Sequence, residues 1–145
     1  MKAMEAPSAL QDCLRAEHAA VYGYGVVGGI MATAAPASPD RANADASYLV
    51  HRDRRDRLAA LIDGLDADPA AAEPAYQLPF EVGGRAGARR LARRIEDRAA
   101  AVYAQAVAAT VGATRELVAE ALTDCAVRGV AWGAAPEAFP GLAEL

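Results

Sequence analysis

The chain has 145 residues, is 54% hydrophobic but only 6% aromatic, and carries a formal charge of −4. That length suits one domain with a real core, and the alanine-heavy apolar fraction favours closely packed helices over a sheet. The acidic balance argues against bulk nucleic-acid binding.

The spacing predicts a first helix over about 8–32, with Ser8 as N-cap and Gln11 as its capping-box partner. Its apolar stripe reads Leu10, Leu14, Glu17, Val21, Tyr24, Gly28, so an acid sits on the inward face. Ala19 to Pro39 is uncharged and ends in the signal-like "ATAAPASP". The charged Asp12, Arg15 and Glu17, with His18, precede it, and four glycines weaken it as a span. Export and membrane insertion are therefore set aside, and a cytoplasmic protein is expected.

"PASPD" breaks the first helix, and Asp40 or Asn43 can cap a second over about 41–65. Read backwards, its stripe runs Leu65, Ile62, Leu58, Arg55, His51, Tyr48, which aims a histidine and an arginine at the core. The segment 66–87 holds three prolines and three glycines and shows no sustained period. The third helix is expected over about 88–110, on a stripe from Ala88 through Ile95 to Ala109. The fourth covers about 114–132, capped by Thr114, with the stripe Val118, Leu122, Cys125, Gly129, Trp132. A loose tail follows.

Link lengths set the topology. Each helix is roughly 35 Å long at 1.5 Å per residue. The middle link can stretch some 70 Å at 3.3 Å per residue, ample to travel the length of a bundle. The expected fold is an all-α four-helix bundle with one long crossover between helices two and three, the ferritin-like arrangement, in a single domain over 1–145. Tyr76, Leu78 and Phe80 are expected to anchor the crossover, since a long link left loose is costly to order.

The stretches "AEHAAVYGYGVVG" (Ala16–Gly28), "HRDRRDRL" (His51–Leu58) and "AAEPAYQLPF" (Ala71–Phe80), with Glu96, Tyr103 and Trp132 further on, resemble the actinobacterial ferritin-like DUF4439 family. The resemblance covers most of the chain. It implies a fold more than an activity, because the family's function is unassigned.

Ferritin-like di-metal proteins take a Glu from each of two helices and a Glu-x-x-His from each of the other two. Glu17 and Glu96 can fill the single-Glu roles. Helix two offers His51-x-x-Arg54 instead of the pair, and helix four has no histidine. His18 turns about 100° away from Glu17 around the helix. The expectation is a core ion network of Glu17, His51 and Arg55, with Glu96 or Asp124 joining, where metals would sit. The bland alternative has His51 and Arg55 snorkelling to solvent. The metal alternative is an iron or manganese oxidoreductase using Glu17, His18, His51 and Glu96.

Arg89, Arg90, Arg93 and Arg94 open helix three and form a weak candidate anion patch. Acids of the crossover, Asp66, Asp68, Glu73 and Glu81, can neutralise it. Tyr22, Tyr24 and Tyr103 read as core aromatics with a hydroxyl to satisfy. Cys13 and Cys125 read as reduced, buried thiols lying toward opposite ends of a crossover bundle. Nothing resembles a nucleophile–base pair, a phosphate loop or a dinucleotide motif. The functional reading is a non-catalytic structural or interaction protein without cofactor. Gly23, Gly25, Gly28 and Gly29 suggest a face for a homodimer, and no other partner is named by the sequence.

Overall fold

A computed structural model of the chain describes residues 2–142; Met1 and the last residues of the tail, 143–145, lie outside it. Its helices are α1 Lys2–Ala34, α2 Pro39–Asp63, α3 Gly84–Ala109 and α4 Gly112–Ala131, with no strand among the described residues.

The helices fall where the periodicity predicts, but their starts differ for local reasons. α1 begins before Ser8 and carries Pro7 within it. Gln11 does not cap it. Its Nε2 donates to the Asp68 carbonyl at 2.7 Å and its Oε1 accepts from Ala70 N at 2.9 Å, so the side chain fastens the crossover. Ser38 caps α2, its Oγ accepting from Arg41 N at 3.3 Å with Pro39 at the first helical position. That leaves Asp40 free to bind Arg85 Nε at 2.7 Å and Arg89. An acid there suits the parallel starts of α2 and α3 and offsets arginines that oppose the α3 dipole. The crossover acids do not take that role. Val111 stands at the N-cap position of α4 with no side-chain cap, and Thr114 lies inside the helix.

Two buried clusters fix the topology. One joins Leu10 and Leu14 of α1 to Leu58 and Ile62 late in α2, Ala106 late in α3 and Val118 early in α4. The other joins Val27 and Met31 late in α1 to Ala44 early in α2, Leu91 early in α3 and Trp132 after α4. Hence α1 and α4 run one way, α2 and α3 the other, and residues 64–83 travel the length of the bundle. This is compatible with the one-crossover ferritin-like arrangement.

Leu78 and Phe80 pack on the second cluster, and the Arg90 guanidinium lies 4.0 Å from the Phe80 ring centroid. Tyr76 meets Tyr22 with ring centroids 5.5 Å apart. Gly23 belongs to the interior, because a Cβ there would come within 2.6 Å of Ile95 Cδ1. It lets α1 and α3 approach and is not part of an outer face. Cys13 and Cys125 are free and buried, yet both sit in the first cluster rather than toward opposite ends. With α1 starting at Lys2, Cys13 lies well inside the helix, and parallel α4 brings Cys125 into the same half. No described helix is long and apolar enough to cross a membrane.

Candidate functional site

Between the two clusters lies a buried polar layer with residues from α1, α2 and α3 and the residue that ends α4. α1 contributes Glu17 and Tyr24, α2 His51, and α3 Glu96 and Tyr103; Trp132 enters from the end of α4. His51, fully buried, bridges two acids. Its Nδ1 is 2.5 Å from Glu17 Oε2 and its Nε2 is 3.0 Å from Glu96 Oε1. Tyr103 donates to Glu17 Oε1 and Tyr24 to Glu96 Oε1, each at 2.5 Å. Trp132 Nε1 donates to the Tyr24 hydroxyl at 3.0 Å, and the Tyr24 ring stacks on His51 at 5.3 Å. Trp132, Tyr24, Glu96, His51, Glu17 and Tyr103 thus form one continuous hydrogen-bonded chain.

The electrostatics make His51 the cation of this layer. Burial disfavours its charge, but hydrogen bonds and Coulomb attraction from Glu17 and Glu96 outweigh that and raise its pKa from 6.5 to about 9. As imidazolium it donates from both nitrogens, which the two acceptors require. Burial, then the neighbouring carboxylates, push the Tyr24 and Tyr103 phenols well above their usual range, so both stay neutral donors. Cys13 is pushed up to about 12, first by burial and then by Glu17. Cys125 is also raised, by burial first and Glu96 next. Neither is a thiolate at neutral pH.

In the structure Glu17, His51 and Glu96 lie together, and His51 is buried and does not reach solvent. The structure corrects the arginine. Arg55 is partly exposed and pairs with its neighbour Asp56 at 2.8 Å. Arg54 turns inward instead, binding Asp124 and donating to Cys125 Sγ at 3.4 Å. Asp124 also accepts from Arg128 Nε at 2.7 Å, and Arg128 reaches Ser47 Oγ at 3.2 Å. Asp124 therefore anchors a second ion cluster between α2 and α4, beside the acid–histidine chain. Its carboxyl is held below the usual range because hydrogen bonds from Arg128 and Arg54 overcome its partial burial. Arg54→Ala should cost about 1–2 kcal/mol, and Arg55→Ala less than about 0.5 kcal/mol, in thermal melts. The reverse order would return Arg55 to the interior.

His18 faces away, its Nε2 2.8 Å from the Ala70 carbonyl oxygen of the crossover. The arginine run is mostly engaged within the chain. Arg89 binds Asp40 and the Trp132 carbonyl, and Arg93 binds that carbonyl at 3.1 Å. Arg90 lies on Phe80, and Arg94 is 3.9 Å from Asp97.

A di-metal centre of the ferritin-like kind does not fit these donors. Both His51 nitrogens and both Glu17 oxygens are committed, and His18 is elsewhere. Among the described residues, Glu96 Oε2 is the one buried side-chain oxygen or nitrogen without a hydrogen-bond partner within the structure. Among the described residues no three His, Cys, Asp or Glu side chains are placed to hold a metal ion.

A family model described as a domain of unknown function, DUF4439, matches residues 9–144. The chain belongs to this family. The chain is also similar to a solved structure, the crystal structure of a conserved hypothetical protein, rv2844, from Mycobacterium tuberculosis. The two share 31% identity over 89% of this chain and 95% of that one, with a TM-score of 0.81. No curated protein matches. For this DUF4439 chain the all-α four-helix expectation therefore holds, and Glu17 and His51, named from stripe position, are neighbours of Glu96, named beside the stripe of helix three.

The sequence reading missed Tyr24 and Tyr103 as network partners. The signal was present: Tyr24 lies two turns after Glu17 on the same stripe, and a buried hydroxyl needs an acceptor. The miss at Arg54 has no such remedy, since a period of 3.6 after His51 falls between positions 54 and 55.

Proposed function

We propose that this protein is a non-catalytic bundle with a structural or interaction role, in which a protein cation stands where ferritin-like proteins hold metal. The observation that supports this is His51 spending both ring nitrogens on Glu17 and Glu96. A histidine so engaged is neither a free general base nor a ligand with a lone pair to offer. Metal analysis of protein purified without chelators tests the reading. Iron and manganese should be far below one per chain; a stoichiometric content would overturn it. That content is what the alternative, a non-standard iron or manganese oxidoreductase, requires, and its support is the uncommitted Glu96 Oε2.

The proposal includes a cytoplasmic setting, in keeping with two free buried thiols, and a homodimer. Gly25 and Gly29 have open space where a Cβ would stand, and half-exposed Tyr22 lies beside them one turn back on α1. Sedimentation equilibrium should give twice the chain mass, and Gly25→Leu with Gly29→Leu should return the monomer. A monomer at all concentrations discards the dimer and leaves the core reading untouched.

A further inference from the structure

The outer sides of α1 and α3 and the crossover residues 76–79 border a groove of about 470 Å³. That lies within the roughly 300–1,000 Å³ usual for small-molecule sites. Small side chains leave it unfilled. Ala16, Ala19 and Gly23 of α1 and Ala99 of α3 line it, with Ile95 and Val102 as larger apolar walls. At Gly23 the helix comes up against Ile95, which closes the floor.

The register of α1 on α3 orders the lining. Tyr24 bonds Glu96 and Glu17 bonds Tyr103 across these antiparallel helices. Arg94 and Arg98 therefore stand at the end beside Tyr22 and the crossover's Tyr76 and Pro79, and Val102 and Gln105 at the end beside Ala16 and Asp12. Charge differs between the two ends. At the second, Arg15 is matched by Asp12 at 3.0 Å. At the first, Arg94 meets Asp97 only at 3.9 Å, and Arg98 pairs with none of the described acids. The neighbouring cavity, which shares Arg94 and Pro79, adds Arg90 and Arg93 against Asp97. Arg94 and Arg98 are exposed and four apart, so they are neighbours on one helix face. On a chain of formal charge −4 this is a local excess of positive charge. Between the ends, from Ile95 to Val102, runs an apolar trough of about 10 Å at 1.5 Å per residue.

We propose that this groove binds a medium-chain carboxylate. Its head accepts N–H bonds from the Arg94 and Arg98 guanidiniums, whose fork geometry suits a carboxylate. Its alkyl chain lies along Ile95, Ala99 and Val102 toward Ala16, where burial of apolar surface adds affinity. Glu17, His51 and Glu96 do not line the groove, so the assignment goes beyond the core reading and does not rest on it.

Titration calorimetry of the full chain with sodium octanoate, below its aggregation range and at constant ionic strength, tests the assignment. Saturable one-site binding is expected, with n-octylammonium chloride and sodium acetate each at least about tenfold weaker. Arg94→Gln with Arg98→Gln removes the cationic end, and Ala16→Leu fills the trough. Each should lower octanoate affinity at least about tenfold without lowering the melting temperature. No saturable binding, octylammonium binding as tightly as octanoate, or full affinity in either variant would each overturn the proposal.

Discussion

His51→Leu should be the most damaging single substitution in the bundle, costing at least about 3–5 kcal/mol at neutral pH. Leucine is close in volume to histidine, so little of the loss comes from packing. The loss comes from Glu17 and Glu96, which keep their tyrosine donors but lose the cation between them. Domains of this size hold about 5–15 kcal/mol in total, so the variant should be marginal at 37 °C. Two further measurements separate charge from shape. Acidification supplies a proton to the unpaired acids and should recover part of the loss. The triple variant Glu17→Gln, His51→Leu, Glu96→Gln keeps acceptors for Tyr103 and Tyr24 but removes both charges. It should melt above His51→Leu alone, because neutral groups replace a broken buried pair. If all three proteins melt together at pH 7, the layer is not held by charge.

How much of this layer can be read from sequence depends on how many chain-local facts each residue needs. Glu17 was legible because it interrupts an apolar stripe that runs from Leu10 to Gly28 along α1. The crossover was legible because link length alone decides whether α3 can start beside α2. Trp132 was visible as the last apolar position of the expected fourth helix. Arg54 was not, because choosing it over Arg55 requires knowing that α4 and Asp124 lie on that side of α2. Gln11 and His18 looked like a capping partner and a possible ligand. Both instead fasten residues 68–70 of the crossover, a contact between segments more than 50 positions apart that no local spacing encodes. Asp40 likewise looked like a cap, and its use as the counterion of Arg85 and Arg89 follows from α2 and α3 starting at the same end. Residue type and stripe position predicted burial well; the choice of partner awaited the packing.

The wild-type protein should lose stability between pH 6.5 and 9, a range in which most proteins change little. The His51 pKa is about 9 in the folded chain against 6.5 for an unperturbed histidine. A folded-state pKa raised in this way gives stability that is fully present below pH 6.5, where both states bind the proton. It declines as pH rises toward 9, because there the folded state alone holds it, and above 9 it is gone. The raise corresponds to a loss on the order of 3 kcal/mol, or a fall in melting temperature on the order of 10 °C. Other groups act later. Cys13, at about 12 against an ordinary 9.0, adds its own loss only above pH 9, and Cys125, Tyr24 and Tyr103, raised in the same sense, follow there too. The interval from 6.5 to 9 thus belongs to His51. Urea midpoints at half-unit steps should fall through that interval in the wild type. In His51→Leu, whose stability has no imidazolium to lose, the same interval should be flat. A flat wild-type profile would mean that His51 is neutral in the folded chain and that one of its two acids receives no proton from it.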